Sequence, residues 1–234
     1  MRRALYVPDI SISPGELMPK KRVAVLISGR GSNMAALIEA AKAPDYPAEI
    51  ALVLSNRPDA AGLALAERQR LPAAVLDHRP FGKDRAAFER ALQAILDQHR
   101  IELICLGGFM RLFTDELVLR WLGRMLNIHP ALLPAFKGLD PHGQALAAGV
   151  KITGATVHFV TPDMDSGPII VQAAVPVRDD DTTEMLAARV LAVEHRIYPL
   201  ALRLVAEGRV RIVDGRCRIE GAHPAEAALI VPAD

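Results

Sequence analysis

Lys21-Arg22-Val23-Ala24-Val25-Leu26-Ile27-Ser28-Gly29-Arg30-Gly31-Ser32-Asn33 decides how this chain folds. Val23–Ser28 is an unbroken apolar run between a basic pair and a glycine, which suits a parallel strand buried on both faces. From Ser32 to Ala43 the spacing turns helical, with Met34, Leu37, Ile38 and Ala41 on one side. The glycines between let backbone amides approach an anion, and the helix N-terminus carries partial positive charge. Ser32 and Asn33 add side-chain donors. A dinucleotide fingerprint needs glycine where Met34 stands, and a nucleoside-triphosphate loop needs Gly-Lys-Ser/Thr. A small phosphate monoester fits better, with a plain capped turn as the alternative.

Working outward, the same strand–helix unit recurs. Strands are predicted at Ile50–Leu54, Ala73–Leu76, Leu103–Leu106 and Arg124–Ile128. Helices are predicted at Ala60–Arg70, Lys83–His99 and Thr114–Trp121, the last capped by Thr114 with Asp115 and Glu116 in its first turn. This alternation predicts an α/β fold with a doubly wound, mostly parallel sheet. The pattern then changes. Thr153–Val160 and Pro168–Val175 are separated only by Thr161–Gly167, which suits an antiparallel pair. Thr182–Glu207 reads as one long helix that Pro199 should kink or split. Arg209–Val213 and Arg216–Ile219, joined by Asp214-Gly215, read as a hairpin. Residues 1–20 and 221–234 are expected to be tails around one domain over 21–220, with Met18 a candidate native start.

Polar residues punctuate the apolar elements at three further places. In Met125-Leu126-Asn127-Ile128-His129-Pro130-Ala131-Leu132-Leu133-Pro134, strand alternation points Asn127 and His129 to one side and Leu126 and Ile128 to the other. Pro130 ends the strand beside the imidazole. A core histidine with a turn asparagine is the bland alternative. Gly107-Gly108-Phe109-Met110-Arg111-Leu112 could seat a flat ligand against backbone, or form a tight turn. Asp165 lies in the loop Thr161–Gly167 and matters to chemistry only if the fold brings it to His129. A carboxylate there favours the charged ring and fixes its orientation. His142 begins a predicted helix and could face the same cleft. Glu194 and Arg189 default to a solvated or paired helix face.

Composition narrows the classes. The chain has 234 residues, 51% hydrophobic, with a formal net charge of +1, which argues against a general polyanion binder such as a nucleic-acid coat. Two cysteines make neither a disulfide framework nor a metal site, and a reducing cytoplasm fits. The histidine spacing matches no zinc signature, so no metal is expected. No apolar run reaches membrane-span length.

Taken together and in order, Gly31-Ser32-Asn33, Gly107-Gly108-Phe109-Met110-Arg111, Asn127-Ile128-His129-Pro130-Ala131-Leu132-Leu133-Pro134, Phe136-Lys137-Gly138, Asp165-Ser166-Gly167-Pro168 and Glu194-His195-Arg196-Ile197-Tyr198-Pro199 resemble the phosphoribosylglycinamide formyltransferase family. The resemblance runs from about Lys21 to about Ile219. It implies a formyltransferase-like Rossmann-type fold, and formyl transfer from 10-formyltetrahydrofolate to an amine in purine synthesis. Only small-molecule substrates are implied, with no metal, nucleic acid or membrane, in a cytoplasmic monomer or homodimer. By position the catalytic set falls on Asn127, His129 and Asp165. The ribonucleotide contacts fall on Gly31, Ser32, Asn33 and Glu194. The folate contacts fall on Arg85, Met110, Arg111, Leu112, Phe113, Asn127, Thr161 and Asp165. Ala131 stands where serine is frequent in the family, and Asp140-Pro141-His142-Gly143 is less bulky than usual. A formyltetrahydrofolate hydrolase would be expected to carry an N-terminal regulatory domain, and a methionyl-tRNA formyltransferase an extra C-terminal one. Neither tail is long enough for those.

Overall fold

A computed structural model describes residues 19–222 and 229–231. The region around Met18 and most of the C-terminal tail lie outside them. The elements run β1 (Lys21–Ile27), α1 (Ser32–Ala41), β2 (Ala48–Ser55), α2 (Ala61–Arg68), β3 (Ala73–Val75), α3 (Arg85–Gln98), β4 (Leu103–Leu106), α4 (Asp115–Arg120) and β5 (Met125–His129). Then follow α5 (Pro141–Ala147), β6 (Ile152–Phe159), β7 (Ile169–Pro176), α6 (Thr183–Ala206), β8 (Val210–Val213) and β9 (Arg216–Ile219). The sheet order is β3-β2-β1-β4-β5-β6-β7. β1 to β5 pair in parallel, and β6 joins β5 antiparallel and carries β7 antiparallel in turn.

The unbroken apolar runs are explained by cover on both faces. Val23, Val25 and Ile27 pack with α1, α5 and α6, while Ala24 and Leu26 pack with Phe88, Leu92 and Leu96 of α3 and with Leu117 and Trp121. Strand order reverses between β1 and β4, and in such sheets the crevice at the carboxyl ends of the strands is where ligands bind. The predicted hairpin forms a separate two-stranded sheet, β8–β9. Asp214 and Gly215 both have positive φ, as a two-residue turn of this kind requires.

Two local expectations need correction. Pro199 does not split α6, which is continuous over 24 residues. An interior proline costs about 3 kcal/mol. Against that, Leu186, Val190, Tyr198 and Leu202 are all completely buried on this helix, each contributing roughly 1.5–3 kcal/mol. The buried stripe of α6 leaves Leu200 exposed and takes in Glu194. Thr114 occupies the N-cap position of α4 but does not cap it with its side chain. Its hydroxyl and its backbone N–H both donate to the buried carboxylate of Glu89 on α3, a stronger charge-assisted partner.

Candidate active site

The site grows from β5. Cross-strand register places Asn127 opposite His158 and His129 opposite Thr156, so these four side chains share one face of the sheet. Leu126, Ile128, Val157 and Phe159 share the other and pack into one apolar cluster. The alternation read from Asn127 and His129 is therefore realised.

Asp165 does reach His129. The carboxylate Oδ2 lies 3.4 Å from His129 Nδ1, in a pocket where the two side chains are only 10% and 7% exposed. The Gly138 N–H donates to the same oxygen at 2.9 Å, and Lys137 Nζ donates to Ser166 Oγ at 2.6 Å. Phe136-Lys137-Gly138 thus ties the loop after β5 to the Asp165 loop. Asp165 itself has φ +49°, a left-handed conformation that aspartate tolerates better than most residues.

Hydrogen-bond chemistry fixes the proton on His129. Its Nε2 is 2.8 Å from the Phe136 carbonyl, which can only accept, so Nε2 carries a proton and Nδ1 is the nitrogen turned to Asp165. The His129-Pro130 turn is held from β6. The Thr156 hydroxyl donates to the Ala131 carbonyl at 2.7 Å and accepts from the Leu133 N–H at 3.1 Å and from Gln172 Nε2 at 3.0 Å. Its one donor and two acceptor sites are all used, in a side chain with no exposure.

His158 joins the cluster and had no role in the sequence reading. Its Nε2 lies 3.2 Å from Asn127 Nδ2 and 3.8 Å from Asp165 Oδ1. Burial lowers its pKa; the Phe159 carbonyl and Asp165 oppose that shift, and His129 and Lys137 add to it. The signal that could have found it is Thr156-x-His158, a second pair of polar residues at strand spacing inside an apolar run. His142 lies in the first turn of α5 and carries a buried Nδ1 without a partner. Burial lowers its pKa, and His129 is close enough to add to that shift.

The anion loop follows β1, with β4 between it and β5 in the sheet. Gly31 has φ +73° at the start of α1, where the amides of Ser32, Asn33 and Met34 precede the first intrahelical bond. A Cβ on Gly31 would fall 3.0 Å from Met34 Cε and 3.3 Å from Gly62 Cα, so the turn needs glycine on both counts. Asn33 Nδ2 donates to Glu194 Oε2 at 2.7 Å, leaving a buried Asn33 Oδ1 without a partner. Burial raises the Glu194 carboxyl above its usual range, partly offset by Asn33. Glu194 is thus neither solvated nor ion-paired, whereas Arg189 takes the paired role with Asp181 at 2.7 and 2.8 Å.

Gly107 bridges the two halves. It follows Leu106, the β4 neighbour of Asn127, and a Cβ on it would lie 3.7 Å from Met34 N. The Ser28 hydroxyl accepts from Met110 N–H at 2.8 Å and donates to Asn56 Oδ1 at 2.6 Å, fixing the Gly107–Met110 turn. Beyond it Met110 and Leu112 are 72% and 62% exposed, Phe113 stacks on Phe109, and the Arg111 guanidinium sits 5.0 Å over Phe88. Arg85 is exposed at the start of α3, one turn from Phe88. Thr161 donates from its hydroxyl to the Asp163 carbonyl inside the Asp165 loop. Among the described residues no group of three or more His, Cys, Asp or Glu side chains is placed to hold a metal ion, and no helix is long and apolar enough to cross a membrane.

Comparison with known proteins gives the chain's relatives. A model of the formyl transferase family matches residues 21–202. A phosphoribosylglycinamide formyltransferase of Haemophilus influenzae is 39% identical over 86% of this chain and 94% of its own length. The bovine trifunctional purine biosynthetic protein adenosine-3 is 51% identical over 84% of this chain, which spans only 19% of that larger protein. A crystal structure of glycinamide ribonucleotide transformylase 1 from Symbiobacterium toebii superposes with a TM-score of 0.84 at 47% identity, covering 88% and 99% of the two chains. With a family match across most of its length and a relative covered over 94% of its own length, the chain belongs to the formyl transferase family, among the phosphoribosylglycinamide formyltransferases.

Proposed function

We propose that this protein transfers the formyl group of 10-formyltetrahydrofolate to the amine of glycinamide ribonucleotide, giving the N-formyl product and tetrahydrofolate in purine biosynthesis. The observation that carries the reading is the meeting of Asn127, His129 and Asp165 beside the N-terminus of α1. The phosphate of the ribonucleotide rests on the amides and the Ser32 hydroxyl of Gly31-Ser32-Asn33, where the helix dipole favours an anion. Glu194 and the unpartnered Asn33 Oδ1 receive donors from the same ligand. The folate lies along Met110 to Phe113 and the Thr161–Asp165 loop, with Arg85 at its acidic end.

The neutral amine attacks the formyl carbon, and the carbonyl oxygen gains negative charge as the centre becomes tetrahedral. Asn127 Nδ2 donates to that oxygen. So does His129 Nδ1–H, the one ring donor not committed to Phe136. Such prepared donors stabilise the developing charge. Asp165, whose Oδ2 lies 3.4 Å from Nδ1, accepts the amine proton directly or through water. Collapse then breaks the bond to the folate nitrogen, which takes up the proton that Asp165 accepted and leaves as tetrahydrofolate. No covalent enzyme intermediate is required.

The test is to incubate the protein with both substrates and follow tetrahydrofolate release. Release that requires glycinamide ribonucleotide supports the transferase. Release without it indicates a hydrolase, and none at all indicates a binding protein.

A further inference from the structure

We propose that neutral His158 is a positioning residue that sets which end of the Asn127 amide faces the reaction, an inference that rests on the transferase reading above. Three contacts lead to it. His158 is 2% exposed and sits directly across the strand pair from Asn127. Its Nδ1 lies 2.9 Å from the Phe159 carbonyl, which accepts only, so Nδ1 holds the proton. In a neutral ring Nε2 is then an acceptor, and it lies 3.2 Å from Asn127 Nδ2. An Asn127 flipped by 180° would set its carbonyl oxygen against that lone pair. The amide therefore stays with nitrogen toward His158, and its second N–H is left for the ligand. Asp165 Oδ1 lies 3.8 Å from the same Nε2, so the amide nitrogen and the carboxylate flank one ring atom. That puts the donor end of Asn127, not its acceptor end, on the side where the tetrahedral oxygen forms.

The backbone is built to hold the ring there. The pairing of β6 with β7 shifts register between Val157 and His158, so that His158 faces Ile169 while Val157 faces Val171. A bulge at this point re-aims side chains locally and strengthens the twist. The competing role is a relay: a doubly protonated His158 that supports Asp165. It would present an N–H to Asn127 and demand the opposite amide orientation.

Two measurements decide it. Nitrogen-15 and proton NMR of ring-labelled native protein should show His158 neutral with the proton on Nδ1 at pH 7; an imidazolium or an Nε2–H tautomer overturns the proposal. A kinetic double-mutant cycle supplies the functional readout. His158→Leu should lower kcat by about 10²-fold, the scale of a misplaced oxyanion donor, with KM for both substrates changed less than about threefold. His158→Gln, whose amide oxygen can accept from Asn127, should recover most of that loss. In an Asn127→Ala background, His158→Leu should add less than about twofold. A full additive loss there overturns the inference while leaving the transferase reading intact. An Asn127→Ala single variant with unaltered kcat sinks the donor role on which both rest. If His158→Leu does not fold, the NMR result and the Gln variant within the same cycle carry the test.

Discussion

Replacing Asp165 with asparagine keeps the side-chain volume and removes one charge. In the structure Asp165 makes two polar contacts, with the Gly138 N–H and His129 Nδ1, while its Oδ1 lies 3.8 Å from His158 Nε2. An asparagine oxygen can still accept from Gly138, so the loop should keep its conformation. What disappears is the anion beside His129 and the acceptor for the amine proton. Without the anion, His129 is left with a proton on Nε2 for Phe136 and no fixed donor on Nδ1. Loss of one oxyanion donor is worth about 10²–10³ in kcat, roughly 3–4 kcal/mol. Loss of a proton acceptor is worth about 10²–10⁴, and the two overlap because they act in one transition state. The expected kcat for Asp165→Asn is therefore lower by about 10³-fold or more, with both KM values close to wild type. Initial rates of tetrahydrofolate formation at saturating substrates, with urea unfolding as a control for the fold, measure this. A folded variant within about tenfold of wild-type kcat would refute the assigned role.

Other consequences are equally open to measurement. Ser32→Ala should weaken ribonucleotide binding by about tenfold, one hydrogen bond to a charged group, and leave folate binding unchanged in calorimetric titrations. Equal loss of both ligands would contradict the phosphate assignment. Glu194 has a raised folded-state pKa, so the native state binds its proton more tightly than the unfolded chain does. Stability contributed by this group falls as pH rises through the carboxylate range, and the full penalty is in place above the folded pKa. Glu194→Gln should accordingly melt higher than wild type at pH 7, converge with it below about pH 4, and bind ribonucleotide more weakly. Thr156→Val removes the hydroxyl's bonds to the Leu133 N–H, the Ala131 carbonyl and Gln172 Nε2, leaving the first two only their mutual contact at 3.2 Å, and should cost about 1–2 kcal/mol in urea unfolding.

The sequence carries the parts of the fold that are local in origin. Apolar runs such as Val23–Ile27 give buried strands, and the short Thr161–Gly167 connection gives an antiparallel pair. Asp214-Gly215 gives a turn with two positive φ values. It also carries the facing of Asn127 and His129, because strand alternation is a local rule. What it does not carry are partnerships across long chain separations. Glu194 sits at the edge of the helical stripe, and only contact with Asn33, 161 residues away, shows why a carboxylate is buried there. His158 acquires meaning only from the β5–β6 register that sets it against Asn127. The Thr114 hydroxyl abandons its cap for a glutamate one helix away. Pro199 leaves α6 unbroken for the same reason, since the packing that holds the helix together comes from the sheet.

The central claim is that Asn127 and His129 prepare a place for one oxygen atom, with Asp165 beside it. A crystal structure with a bisubstrate analogue, in which a tetrahedral carbon joins the ribonucleotide amine to the folate, tests it most directly. The account predicts the tetrahedral oxygen at about 2.7–3.1 Å from both Asn127 Nδ2 and His129 Nδ1, with the phosphate on Gly31-Ser32-Asn33. An oxygen turned away from both donors would contradict it.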